Sequence, residues 1–195
     1  MSPARILPLF ITGVMLLAEP ASNRVAEGQE LKVGIWRREL PEMGLVTTGV
    51  LTAGKDAYLF MPPANWEMGS DAGSGIRFIG SNQSSISIRV VPVAGQKSTP
   101  PAIEELRLKA QRRLPEAKVV SETTCHTEGQ SGPAFDLDWK DEQGVQFKAR
   151  IAYIEVGGRC FEFTLLVPAA QFGRDLGTFM GFMTSFQAAE SRSDS

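Results

Sequence analysis

Phe135–Val167 reads FDLDWKDEQGVQFKARIAYIEVGGRCFEFTLLV, and its reading decides the fold. Phe135, Leu137 and Trp139 alternate with Asp136, Asp138 and Lys140. Val145, Phe147, Ala149, Ile151 and Tyr153 alternate with Gln146, Lys148 and Arg150, and Phe161, Phe163, Leu165 and Val167 with Cys160, Glu162 and Thr164. A period of two is that of a strand with one face turned to a core. Asp141–Gly144 and Gly157-Gly158 supply turns, so the stretch predicts three consecutive antiparallel strands. Keeping like faces together sets Leu137 opposite Phe147 and Ile151 opposite Phe163, because a one-residue slip exchanges every side chain between faces. Asp136 then falls opposite Lys148, an outer-face ion pair worth only about 0.2–1 kcal/mol. Asp136 and Asp138 look like paired catalytic carboxylates, but beside Lys148 and Arg150 on such a face they read as solvated charges.

The flanking segments predict helices. Thr99-Pro-Pro-Ala-Ile-Glu-Glu is a helix start, with Thr99 as cap, Pro100 in the first turn and Glu104 and Glu105 where acids suit the dipole. Ile103, Leu106, Ala110 and Leu114 form its apolar stripe, and Pro115 closes it. Pro168 ends the sheet and opens a final helix, Ala169–Gln187, striped by Phe172, Leu176, Phe179, Met183 and Phe186. Gly173, Gly177 and Gly181 recur every four residues, which reads as close docking of this helix on the sheet.

Upstream the patterning is shorter. Gln29–Thr52 gives one or two short strands joined by a turn. Pro62 and Pro63 end any strand within Tyr58–Trp66, since neither donates to a ladder. Gly69–Gly75 reads as a flexible loop; it lacks the lysine and spacing of a phosphate-binding loop. Ile76 and Phe78 open a strand, and Ser85–Val93 forms another with Ile86, Ile88 and Val90 on one face, joined by turn residues Gly80–Ser84.

At the N-terminus Arg5 precedes the apolar run Ile6–Ala18, which reads as a secretory signal. The run is shorter than the roughly 20 residues that span a bilayer. Residues 1–22 are therefore expected to be a signal peptide, with Ala18 and Ala21 as the small residues near the cleavage point, and the protein to be periplasmic or secreted. About 170 residues remain, enough for one domain with a real core. The net charge of −2 argues against nucleic acid as a partner, and the cluster Arg107–Arg113 reads as a solvated helix face.

Cys125 and Cys160 are the only cysteines, and export opens a disulfide to them. Two free thiols are the other reading. In a simple meander they stand three strands apart, roughly 14 Å at a spacing of about 4.8 Å, whereas a disulfide needs Cα atoms within about 7 Å. Only another strand order, or a fold-back at Thr124–Gly132, brings them together.

The order of these elements resembles the PsbP-like family, which includes the extrinsic photosystem subunit PsbP and a Ran-binding nuclear import factor. The resemblance rests on Tyr58–Trp66 (YLFMPPANW), the helix after Pro100-Pro101, Val145–Ile154, Phe161–Val167 running into Pro168, and a last helix ending Thr184-Ser185-Phe186. It covers Leu45 to Gln187. It implies an α+β fold, an antiparallel β-sheet flanked by helices in an α/β/α sandwich. The chain then divides into an N-terminal extension at 23–44, the domain at 45–187 and a flexible tail at 188–195. Relatives serve mostly as non-catalytic binding modules, and an exported bacterial-type member is the nearest description.

The chemistry fits that picture. His126 is the only histidine, and Cys125 beside it points to the opposite face of an extended strand. One histidine and two distant cysteines make neither a catalytic set nor a zinc site, so no catalytic residue, metal or cofactor is expected. The first expectation for function is docking on another envelope protein, with no stable membrane span after processing. The alternative is small-ligand or metal binding in a pocket between sheet and helix near Trp66, Trp139 and Tyr153.

Overall fold

The structure, a computed structural model, describes residues 31–40, 42, 44–71, 75–91 and 102–189. The expected signal peptide, the helix cap Thr99-Pro100-Pro101 and residues 190–195 of the expected tail lie outside the described residues. Two antiparallel sheets carry the chain. The smaller contains β1 (Leu31–Leu40), β2 (Gly44–Ala53), β3 (Asp56–Phe60) and the two-residue β11 (Gln187–Ala188) in the order β1-β2-β3-β11. The larger contains β4 (Glu67–Asp71), β5 (Gly75–Ile79), β6 (Ser85–Val91), β7 (Lys118–Thr127), β8 (Gln130–Lys140), β9 (Gln146–Val156) and β10 (Arg159–Pro168), in the order β4-β5-β6-β10-β9-β8-β7. Helix α1 (Ile103–Arg113) lies over β7 and β8 on one face, and α2 (Phe172–Thr184) and the small sheet lie on the other. The α+β sandwich expected from the sequence is the observed architecture.

Strand β10 occupies the centre of the large sheet and is buried on both faces. Phe161, Phe163, Leu165 and Val167 join Tyr58 and Phe60 of the small sheet, Ile86 and Ile88 of β6, and Phe179, Phe182, Met183 and Phe186 from α2 and the residues after it. The rings meet edge to face: Tyr58 on Phe161 at 4.7 Å and Phe163 on Phe186 at 5.1 Å, the arrangement aromatic quadrupoles prefer. On the opposite face Val91, Leu106, Ala110, Phe135, Leu137, Ala149, Ile151, Tyr153 and Cys160 form a second cluster beneath α1.

The registers differ from those expected. Between β8 and β9 the faces are right but the pairing is displaced: Leu137 faces Ala149, Trp139 faces Phe147 and Asp136 faces Arg150 rather than Lys148. The cause is Asp141, whose carboxylate accepts from the backbone N–H groups of Gln143 (2.9 Å) and Val145 (2.8 Å) and draws Val145 into the loop. Asp136 is no solvated charge. Arg150 donates to both its oxygens at 2.6 and 2.8 Å, the two side chains are 14% and 15% exposed, and the Phe172 ring of α2 lies over Lys148 and Arg150.

Between β9 and β10 even the parity differs. Ile151 pairs with Thr164 and Phe163 with Ala152, so Ile151 and Phe163 stand on opposite faces. The hairpin closes through two residues, with Val156 facing Arg159. Both strands are apolar on both sides, so alternation alone does not choose the register.

Other boundaries move as well. Gly69–Asp71 belongs to β4 and Gly75 opens β5, so the expected loop at Gly69–Gly75 is strand at both ends, and residues 72–74 lie outside the described residues. The expected N-terminal extension contributes β1, which pairs with β2 along its whole length and packs Leu31 and Val33 on the core. The tail begins as structure: Ala188 pairs with Tyr58, and the N–H of Ala189 donates to the Ala57 carbonyl at 2.8 Å. The final helix is shorter than expected, opening with a 3-10 turn at Ala169–Gln171. Gly173, Gly177 and Gly181 face open space rather than the sheet, and Ile103 of α1 is 45% exposed.

One glycine is held by contact. A Cβ on Gly132 of β8 would land on the carbonyl oxygen of Tyr153, in backbone that has nowhere to go. Gly132→Ala is expected to destabilise the protein by about 1–3 kcal/mol, as overpacking does. Urea unfolding checks this, and an unchanged midpoint would show that β8 and β9 are further apart than described.

Candidate functional site

The α1 face of the large sheet is apolar on one side and polar on the other. One cross-strand row runs Gly69 (β4), Arg77 (β5), Ser87 (β6), Thr164 (β10), Ile151 (β9) and Phe135 (β8). The next runs Asp71 (β4), Gly75, Arg89, Glu162 and Tyr153. Helix α1 covers the apolar side through Leu106 and Ala110. Its last turn brings Arg113 to within 3.4 Å of Glu162, whose side chain is 6% exposed. Arg77, Ser87, Arg89, Glu162 and Thr164 therefore lie together along β5, β6 and β10 beside the helix.

Electrostatics in this strip follow from burial. The Tyr153 hydroxyl is raised well above the ordinary tyrosine value by desolvation, and the Glu162 charge directly across the ladder adds to it. Burial pushes the Cys160 thiol up to about 11, with Lys109 pulling the other way. Thr164 is buried, and its hydroxyl has no hydrogen-bond partner among the described residues.

A second polar network holds the start of α2. Asp175, in the first turn and 4% exposed, accepts from Ser84 Oγ at 2.6 Å and from Arg174 Nε at 2.7 Å. Arg174 also donates to Gln171 Oε1 at 2.7 Å, and Ser84 Oγ lies 3.2 Å from the same oxygen. Burial alone raises the Asp175 carboxyl, but the hydrogen bonds from Arg174 and Ser84 outweigh it and hold the group below the usual carboxylate range. Ser84 and Asp175 thus tie the β5–β6 turn to the helix.

The expected surface of Trp66, Trp139 and Tyr153 is not one pocket. Trp66 packs on the α2-side core with its indole against Gly80, anchoring the Pro62-Pro63 turn. Trp139 and Tyr153 lie on the other face, Trp139 stacked on Phe147 at 5.5 Å and Tyr153 beneath α1. The cysteines are free thiols: Cys125 faces α2 with Met180 Sδ 3.9 Å away, while Cys160 faces α1, three strands distant. The open alternative of a disulfide is therefore not realised. His126 is exposed while Cys125 is buried, as strand geometry requires. Among the described residues no group of three or more His, Cys, Asp or Glu side chains could hold a metal ion, and no helix is long and apolar enough to cross a membrane.

Arg77, Arg89 and Glu162 escape the sequence reading because each sits on the polar parity of its strand. The signal was present in Ser87-Ile88-Arg89 and Glu162-Phe163-Thr164, but only the β6–β10 pairing puts the two together.

Two measurements check these assignments. In the native protein at pH 8 both thiols should resist a chromogenic disulfide reagent, and both should react once guanidinium unfolds the chain without reductant; a bonded pair would release neither. Asp175→Asn should cost about 1.5–3 kcal/mol at pH 7, the range for hydrogen bonds to a charged group. The native carboxyl lies below the unfolded value of about 3.9. Its contribution is therefore present above about pH 4 and lost as pH falls through the native value. The stability gap between wild type and variant should narrow on acidification, and a constant gap would contradict the assignment.

No family model and no curated protein matches the chain by sequence. Solved structures do. The cyanobacterial PsbP (CyanoP) of Synechocystis sp. PCC 6803 superposes with a TM-score of 0.53 at 12% identity, covering 89% of this chain and 99% of that one. Protein PA94 of Pseudomonas aeruginosa, of unknown function, gives 0.40 at 16% identity over 74% of this chain and 90% of that one. A protein of Bacteroides thetaiotaomicron gives 0.47 at 12% identity over 69% of this chain; the match spans 46% of the Bacteroides chain's length. The chain has the PsbP-like fold, seen along nearly the whole of CyanoP.

Proposed function

We propose that the protein is an exported, non-catalytic PsbP-fold module that docks on another protein of the cell envelope. One observation carries the reading. Strand β1 is the outer strand of the small sheet, ten residues long, with Trp36 69% and Ile35 38% exposed along it. Long edge strands invite pairing with another chain unless they are protected, and exposed tryptophan is the side chain most enriched among residues that dominate binding. The partner this fits adds a strand to the β1 edge and takes the Trp36 indole into an apolar pocket. Export is supported by Arg5 and the apolar run Ile6–Ala18. The non-catalytic reading is supported by the resemblance to a fold used largely for binding and by the placing of Asp175 and Asp136 in structural networks.

The test is a cross-linked pull-down of tagged protein from the native host envelope, comparing wild type with Trp36→Ser. Wild type should retain one stoichiometric protein. The variant, with unchanged circular dichroism, should lose it by about thirtyfold or more, the effect of removing a binding hot spot. Wild type running as a clean monomer, or equal capture by the variant, would overturn the reading.

A further inference from the structure

We infer that the partner strand at β1 also closes a slot left open between the two sheets, and that it is a free extended segment carrying a large apolar side chain on its inward face. The inference rests on the docking reading and names the chemistry of the segment that reading calls for. Strand β3 meets β10 through Tyr58 and Phe161, and β1 lies against β5. The run from β3 through β2 to β1 in the small sheet therefore follows the run from β10 through β6 to β5 in the large one. The large sheet continues one strand further, to β4, and no described strand of the small sheet continues with it. Strand β4 projects beyond β1 as a ledge.

Two facing rows of side chains locate the slot. In the small sheet Ile35, Gly49 and Phe60 form one cross-strand row on the core side. The Phe60 ring fills the space a side chain on Gly49 would take, so it leans along the row toward β1. In the large sheet Met68, Phe78 and Ile86 form the other row. The rows meet where Phe60 and Phe78 cross edge to face at 5.9 Å. From that contact both run outward on the same side, one to Ile35 and the other to Met68. Each ends as an exposed apolar side chain, Ile35 at 38% and Met68 at 43%. They form the roof and floor of a slot that Phe60 and Phe78 close at its inner end.

The shape selects the occupant. The ledge is one strand wide, about 4.8 Å, and packed sheets stand about 10 Å apart. A helix, about 10–12 Å across with its side chains, is too broad for it and leaves the backbone groups along the β1 edge unpaired. A strand added to β1 satisfies those groups. Its side chains alternate between faces, so every second one enters the slot. The one in the Ile35 row lies between Ile35 and Met68, where an unpaired polar group would lose its water without compensation. Leucine, methionine or phenylalanine there continues both rows by one residue. A second copy of this chain does not fit: pairing through its own β1 would bring its β5 to the place where β4 already stands. The added strand therefore has no second sheet behind its inward face.

The test is fluorescence anisotropy of a fluorescein-labelled peptide titrated with the full mature chain. The peptide has ten residues, the length of β1, and alternates leucine with threonine, lysine and glutamate. A control of the same composition carries its leucines in one block. The alternating peptide should bind saturably, and about tenfold or more tightly than the control, since only alternation sends every leucine to one face. Met68→Glu places a charge on the floor of the slot and should weaken binding about tenfold or more with unchanged circular dichroism. Ile35→Asn, at the roof, should act likewise and serves should Met68→Glu fold poorly. Weakening by Trp36→Ser but not by a folded Met68→Glu would overturn the slot and leave the β1 edge as the docking surface. No saturable binding, equal affinity for the two peptides, or a wild-type dimer that Met68→Glu dissolves would also overturn it, while the envelope pull-down decides the docking reading separately.

Discussion

A two-residue turn, Gly157-Gly158, determines which side of β10 meets which half of the core. Both residues have positive φ, 57° and 76°, the conformation of the tight hairpin turns whose twist matches that of the strands they join. A side chain would be strained at either position. Closing the hairpin in two residues sets Val156 against Arg159 and fixes every later pair by parity. Phe161, Phe163, Leu165 and Val167 are thereby sent together to the α2 side, while Cys160, Glu162 and Thr164 go to the α1 side. The turn is itself docked: Gly157 lies against Tyr58 and Ala188 of the small sheet. Arg159, next in sequence, donates to Asp56 at the start of β3 at 2.7 Å. Register and sheet-to-sheet packing are set at one place.

The position of α1 follows from the same arrangement. The chain leaves β6, third in the large sheet, and must re-enter at β7, its far edge, passing β10, β9 and β8. The helix bridges that distance and rests on the side where the sheet is apolar, over Phe135, Leu137 and Ile151. Its last turn meets Glu162, delivered to that face by the glycine turn. The Arg113–Glu162 pair adds little net stability, because desolvating both charges offsets much of their attraction. It does fix position, holding the end of the helix at β10.

The sequence showed elements better than their relations. The period-two runs located β8, β9 and β10, and the stripe of Phe172, Leu176, Phe179 and Met183 located α2, because each pattern has one apolar face and one period. Relations between elements carry no such signature. Asp136 reads as solvent-facing from its own strand, and only Phe172 arriving from α2 buries it with Arg150. The glycine row of α2 suggested close approach, yet the large residues dock and the glycines face outward. Asp175 interrupts the helix stripe in sequence, and its burial depends on Ser84, separated from it by 91 positions. Arg77, Arg89 and Thr164 are ordinary polar alternates until β5, β6 and β10 become neighbours. What is missing from the sequence is thus contact order, not propensity.

The docking edge is tied to the core it stands on. Strand β1 packs Leu31 and Val33 on the cluster that holds Tyr58, Phe60, Phe161, Phe163 and Phe186, and it lies against β5 of the large sheet. Coupling between this edge and the opposite face of the large sheet would need an element with two arrangements. The strand between them is β10, buried on both faces and paired on both edges. A close-packed strand of that kind transmits a shift only by moving the whole core. The fold therefore favours a rigid docking edge over a switch.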